Sequence, residues 1–329
     1  MRMVMTLGEL YCGAGGLGYG AITSRSGKML IRHGWGIDID ADSCRTYSNN
    51  VGENVICTDI TSYNITKLPH VDIFAYGFPC NDFSVVGKRD GLLGKYGSLY
   101  QYGIKIIDRL NPLVFVAENV GGISSALNKI VPELQDAGMG YNVNTHLYKA
   151  EQYGVPQKRH RFFIIGVRCD INMFFIPPAP THQAHVPSHQ ALANIDKKSY
   201  NNEMPRVTQR VRERLSYINP GKNVWVQNMP EQLQIQTKLK MSHIYRRLHP
   251  DKPSHTVTGS GGGGTNIYHY NELRPLTNRE LARLQTFPDT YRFYGNRQSA
   301  RKQIGMAVPP LLSRIIFSSI LNQLHEARI

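Results

Sequence analysis

The sequence is short of several things whose absence narrows its class. It has five cysteines, Cys12, Cys44, Cys57, Cys80 and Cys169, none in a C-x-x-C pair and none in a Cys/His cluster with zinc spacing. That excludes a zinc ribbon and a disulfide scaffold. The odd count, with no signal peptide over Met1 to Leu7, argues for a reducing cytoplasm. No long apolar run is free of charge or proline. The most apolar late stretch, Val308 to Leu324, carries Arg314 and two prolines and reads as a helix of a soluble protein, not a membrane span. Internal repeats are not evident. Acidic excess is missing too: residues 151–329 hold 25 Lys+Arg against 11 Asp+Glu, while residues 1–150 hold 13 of each. The whole net charge of +14 therefore sits in the second half. A basic excess confined to one region is the electrostatic footprint of a polyanionic partner.

What is present begins with an alternation of strands and helices. Strands are expected at Thr6 to Cys12, Gly34 to Ile37, Asn54 to Cys57, Val71 to Tyr76, Leu113 to Ala117, Tyr141 to Tyr148 and Arg161 to Val167. Helices are expected at Ala41 to Asn50, Ser98 to Leu110 and 124–137. This order predicts an α/β fold with a doubly wound, mostly parallel sheet. After Cys169 the rhythm stops. Prolines at 177, 178, 180, 187, 205 and 220 and the glycine run 259–264 predict a smaller, loop-rich module. Helices return at Leu276 to Thr286, capped by Thr277 or Asn278, and after Pro309-Pro310. The expected division is a catalytic unit of residues 1–186 plus 303–329, a recognition unit at 187–272 and a connecting hinge at 273–302.

Three stretches carry chemistry. Cys12-Gly13-Ala14-Gly15-Gly16-Leu17-Gly18 follows a strand and precedes a helix, and Asp38 ends the next strand. Glycines admit close approach of a nucleotide, and an acid at the second strand end suits ribose hydroxyls. The pattern fits a nicotinamide cofactor and S-adenosylmethionine equally, since both present an adenosine. Tyr76-Gly77-Phe78-Pro79-Cys80-Asn81-Asp82-Phe83-Ser84 places a cysteine in a turn at the end of a buried strand, where open α/β sheets bind ligands. Cys80 is either a nucleophile or an inert buried thiol. Between Phe83 and Tyr100, four glycines with Lys88, Arg89 and Lys95 suit a flap over a phosphate-bearing substrate, or an ordinary surface loop.

Together these motifs resemble the C5-cytosine DNA methyltransferases over nearly the whole chain, sparing about residues 170–245. The residues that carry the likeness are Glu9 to Gly16, Gly77 to Cys80, Glu118-Asn119-Val120, Gln157 to Arg161, Arg274 to Asp289 and Gln303 to Pro309. Two positions depart from it: Asn81 stands where glutamine is usual, and Met306 where asparagine is usual. The resemblance implies methyl transfer from S-adenosylmethionine to a cytosine flipped out of duplex DNA. In that scheme Cys80 is the nucleophile, Glu118 holds the base at N3 and its amine, and Arg159 and Arg161 stabilise O2. It implies cofactor contacts from Tyr11, Gly13, Gly15, Gly16, Asp38, Ile39, Asp59, Ile60, Pro79, Leu99 and Met306. DNA contacts fall to Ser84, Lys88, Arg89, Gln157 and Thr256. Arg206, Arg210, Arg212, Arg214, Arg246 and Arg247 can serve phosphates or guanine edges, and over 206–214 phosphate or solvent contact is expected ahead of base reading. A bacterial or phage-type monomer with a cognate restriction endonuclease is the expected setting. A catalytically silent DNA-binding relative and a tRNA methyltransferase are the alternatives.

Overall fold

The computed structural model describes residues 3–78, 99–237 and 240–327. Its centre is one sheet of eight strands: β1 (Met3–Leu10), β2 (Arg25–Ser26), β3 (Met29–Asp38), β4 (Val55–Cys57), β5 (Ile73–Gly77), β6 (Val114–Val120), β7 (Tyr141–Lys149) and β8 (His160–Arg168). The order is β2-β3-β1-β5-β6-β8-β7, with β4 also paired to β3. Strands β1, β3, β4, β5 and β6 run parallel. β8 runs antiparallel to β6, and β7 antiparallel to β8. β8 is thus the antiparallel member of the mostly parallel sheet that the sequence led us to expect, because the ten residues 150–159 joining it to β7 are too few for a parallel crossover. The β2–β3 hairpin at Arg25–Leu30 was not expected from the sequence; it extends β3 well ahead of Gly34.

The central strands are continuous apolar runs because both faces of the sheet are covered. Ile73, Phe74, Ala75 and Tyr76 on β5 and Val114 to Ala117 on β6 have no exposed surface. One face packs on α1 (Gly16–Thr23) and α9 (Pro310–Glu326). The buried side of α9 carries Leu312, Ile316, Ile320 and Leu324, so the last helix is a core helix of this domain. α1 and α9 approach closely: a Cβ on Gly20 would lie 2.3 Å from Ser313 Cβ. The other face packs on α3 (Tyr100–Leu110) and α4 (Leu127–Gln135), with Ile106, Ile107, Ile130 and Leu134 buried. α2 (Ala41–Asn50) keeps its expected limits and is capped by Asp40, whose side chain accepts from the Ser43 amide at 2.8 Å.

Beyond β8 the chain makes only short helices, α5 (Ser188–Leu192) and α6 (Gln209–Ser216), before α7 (Asn278–Leu284) and α8 (Arg297–Met306). Leu215, Ile218, Val224, Met229, Leu233, Tyr245 and Tyr268 form a small core of their own. α7 starts on a capping box between Thr277 and Glu280. Much of the segment read as a hinge is buried. Leu276, Leu281, Phe287, Tyr291 and Ala300 share one cluster with Ala14 of the glycine loop and with Leu248 and Val257 of the loop-rich region.

Candidate active site

The parallel strands end on one edge, and the site is built there. Register pairs Gly77 at the end of β5 with Glu118 on β6. Across the antiparallel pair β6–β8, Val120 lies opposite Arg161 and Glu118 opposite Phe163. Arg161 Nε reaches Glu118 Oε1 at 3.0 Å, and both side chains are largely buried. The other carboxylate oxygen faces Gly77, where a Cβ would stand 3.2 Å from it. Burial raises the Glu118 pKa above the ordinary range, and the charges of Arg161 and Arg159 offset part of that rise. A carboxyl whose charged form is disfavoured in this way is biased towards carrying a proton, which a ring nitrogen can accept. Asn119 is buried, and its amide donates to Phe78 O at 3.1 Å, which fixes the chain as it leaves β5. That positioning role was not read from the sequence, although the residue stood inside the acid motif.

Pro79, Cys80, Asn81, Ser84, Lys88 and Arg89, with the flap they belong to, lie outside the described residues. Arg159 lies just before β8, and its charge, like that of Arg161, acts on Glu118. It is buried, donates to Val257 O at 2.9 Å and to Gly305 O at 3.0 Å, and so ties three distant segments together. Gln157 is corrected from a DNA contact to an interior bridge. Its amide donates to Gln285 Oε1 at 2.7 Å, its oxygen accepts from Val257 N at 2.7 Å, and none of its surface is exposed. Thr256 remains partly exposed and donates to Lys158 O at 2.7 Å. Residues 156–158 and 254 exchange backbone hydrogen bonds, so this motif is where the loop-rich region is laced onto the sheet.

The glycine loop lies on the same edge. Tyr11, Gly13 and Gly15 adopt positive φ. The three loop glycines serve different ends. Gly13 faces open space, with none of the described residues within 4 Å of a Cβ built there. Gly15 and Gly16 admit the protein itself: a Cβ would meet Tyr291 Oη at 2.8 Å and Val308 O at 2.2 Å, respectively. Asp38 accepts from Gly13 N at 2.8 Å and from Asp40 N at 2.9 Å, so it shapes the loop. Burial raises its pKa, against those hydrogen bonds. Tyr11 Oη donates to Leu99 O at 2.9 Å, joining the loop to the start of α3. Ile60 is buried, while Asp59 is exposed with one oxygen accepting from the amide and hydroxyl of Thr61. Ile39 and Met306, each 68% exposed, are large apolar residues left uncovered. α8 is fixed along α2 by Thr46–Gln303 and Asp42–Ser299 hydrogen bonds and a Lys302–Asp40 ion pair, which brings the Met306 end of α8 towards this edge. Open space at Gly13, an acid beside it and uncovered apolar side chains fit the ribose and base of an adenosine.

The basic region is less uniform than its sequence. Arg206, Arg210 and Arg212 are exposed, and Arg246 is half-buried. Arg214 and Arg247 are not free to meet phosphate, a correction to the expected set. Arg214 donates to Leu233 O at 2.7 Å and lies 4.7 Å from the Tyr245 ring centre. Arg247 donates to the carbonyls of Leu215, Ile218, His269 and Tyr270.

The chain is similar to known proteins. The family profile for C-5 cytosine-specific DNA methylase matches residues 5–322. The type II methyltransferase M.BbvI of Brevibacillus brevis is 48% identical, over 96% of this chain and 90% of its own length. The type II methyltransferase M.NgoFVII of Neisseria gonorrhoeae is 37% identical, over 92% and 82%. Among solved structures, an Escherichia coli prophage-encoded chain described as a DNA modification methyltransferase superposes with a TM-score of 0.73 at 21% identity, covering 98% of this chain and 99% of that one. The S. pombe Dnmt2 methyltransferase gives 0.64 at 18% identity, covering 98% of each; these two likenesses speak for the fold. With the profile spanning nearly the whole chain and the acid and arginine in register at the strand ends, the protein belongs to the C-5 cytosine-specific DNA methylases and is a DNA (cytosine-5-)-methyltransferase.

Proposed function

We propose that the chain uses S-adenosylmethionine to methylate a cytosine turned out of duplex DNA at one specific sequence, as the modification enzyme of a type II restriction–modification pair. The observation that carries the chemistry is the Glu118–Arg161 pair beside Gly77, with Glu118 held towards its protonated form. C5 of cytosine is a weak nucleophile until a group adds at C6. The Cys80 thiolate is the group proposed for that addition, since a thiolate is soft and leaves readily afterwards. Electron density then moves onto N3 and O2. Glu118 meets N3 with a proton, and Arg161 both orients Glu118 and balances the charge that develops. Arg159 and Asn119 act as positioning residues through the backbone they hold. A base takes the C5 proton, and elimination releases Cys80.

The proposed cofactor, when bound, supplies an electrophilic methyl group for C5. Gly13, Asp38, Ile39 and Met306 are the residues proposed to hold it, with Tyr11, Gly15, Gly16, Asp59, Ile60, Leu99 and Pro79 around them. Turning the base out of the stack costs a few kcal/mol. Ser84, Lys88, Arg89 and Thr256 are proposed to hold the opened duplex, with the exposed arginines 206, 210 and 212 on its phosphates. We assign recognition to residues 187–272, joined through 273–302 to a catalytic unit of 1–186 and 303–329, acting as a cytoplasmic monomer on the nucleoid. Cys80→Ser is expected to abolish methyl transfer, and the wild type to form a covalent adduct with DNA carrying 5-fluorocytosine. Full activity of Cys80→Ser would overturn this reading, and methylation of tRNA in preference to duplex DNA would overturn the substrate. Bisulfite sequencing of DNA from expressing cells identifies the target.

A further inference from the structure

Two cysteines that the methyl-transfer scheme does not use meet behind the Asp38 turn. Cys44 lies on the first turns of α2 and is buried; Cys57 ends β4 and is exposed. β4 is registered so that Cys57 pairs with Asp38. Cys44 Sγ contacts Asp38 O at 3.4 Å. The same oxygen accepts from Thr58 N, next to Cys57, at 2.9 Å. The two cysteines therefore meet at the backbone of the residue whose carboxylate holds Gly13 N at 2.8 Å, one buried and one exposed.

We propose that Cys44 and Cys57 are a redox-modifiable thiol pair, which a low-molecular-weight disulfide closes into a protein disulfide that loosens the adenosine pocket. The exposed Cys57 thiolate attacks one sulfur of the reagent, forming a mixed disulfide and expelling one reagent thiolate. Cys44 then gives its proton to solvent, attacks Cys57 Sγ and expels the second thiolate. Two electrons pass from the protein pair to the reagent, which leaves as two thiols. Burial first, and the neighbouring Cys57 thiol second, push the Cys44 pKa up, so Cys57 is the sulfur that reacts first. Closing the bond brings the two sulfurs to about 2 Å and draws Cys44 away from Asp38 O. The Asp38 turn shifts with it, and the Asp38–Gly13 hydrogen bond weakens. Loss of one such bond lowers affinity on the order of fivefold.

The effect on the pocket rests on the cofactor assignment made above; the disulfide itself does not. The test incubates the full chain with oxidised glutathione, maps disulfides by non-reducing peptide mass spectrometry, and titrates S-adenosylmethionine by calorimetry before oxidation, after it and after dithiothreitol. The expected result is a Cys44–Cys57 linkage and an affinity about fivefold weaker, restored by reductant and unaltered by oxidation in Cys57→Ser, which keeps every other cysteine. Absence of that linkage overturns the pair. A linkage without change in affinity overturns its effect on the pocket. If the reduced wild type fails to bind S-adenosylmethionine at all, the cofactor assignment fails instead, and the mass map still decides the thiol pair.

Discussion

Replacing Glu118 by glutamine tests the centre of the proposed chemistry, because it keeps the side chain's size and one acceptor while removing the proton. In the wild type Arg161 Nε lies 3.0 Å from Glu118 Oε1, with both side chains mostly out of solvent. Glutamine retains a neutral hydrogen bond to Arg161 and loses the charge, so a destabilisation of about 1–3 kcal/mol is expected, near the lower end for a broken buried pair. The catalytic cost is larger. Glutamine can donate a hydrogen bond but cannot give up its proton, and loss of general-acid help is expected to lower turnover by about 10²–10⁴. The pH profile separates the two effects. The folded-state pKa of Glu118 is raised, so its protonated form persists above the usual carboxylate range and is lost as pH rises through that raised value. Wild-type turnover should therefore fall on that alkaline limb, and the residual turnover of Glu118→Gln should lack it. Single-turnover transfer of a tritiated methyl group, followed across pH beside thermal melting, reads both. Turnover within a few-fold of wild type, or a variant that keeps the alkaline limb, would refute the role given to Glu118.

Other expectations follow from the same geometry. Burial raises Glu9, under α1 with Tyr47 Oη donating to it at 2.8 Å, from 4.5 to about 8. The folded state therefore binds the extra proton, and wild-type stability should decline as pH rises from 4.5 to 8, by up to about 5 kcal/mol, a decline that denaturant titrations of Glu9→Gln should largely lack. Gly13→Ala should cost about 1–2 kcal/mol for its φ of +52° yet lose cofactor affinity disproportionately in calorimetry, since its methyl group enters the open pocket. Arg247→Ala leaves four carbonyls without their donor and should open the small recognition core, by about 3–5 kcal/mol, seen as faster proteolysis within 187–272. Gln157→Ala should lower the melting temperature without altering the salt dependence of DNA binding, because its amide meets only protein.

The sequence by itself determined the order of strands and longer helices through β8, the short β2 apart, the ends of α2, and which strand ends carry the acid and the glycines. Those features are local: apolar runs with a fixed period, caps and turn residues declare themselves within a few positions. It also held the family likeness, because the motif residues recur in order whatever lies between them. Which way a side chain turns was decided only by tertiary contact. Arg159 and Arg161 are two residues apart, yet one pairs with Glu118 and the other binds the carbonyls of Val257 and Gly305, segments far away in the chain. Arg247 and Arg212 read alike as cations, and packing buries one and leaves the other exposed. Gly13 and Gly16 look interchangeable in a glycine run, but one borders open space and the other the backbone of Val308. A charge or a missing Cβ is written in the sequence; the neighbour that gives it a purpose arrives from hundreds of residues away, and only the folded chain brings the two together.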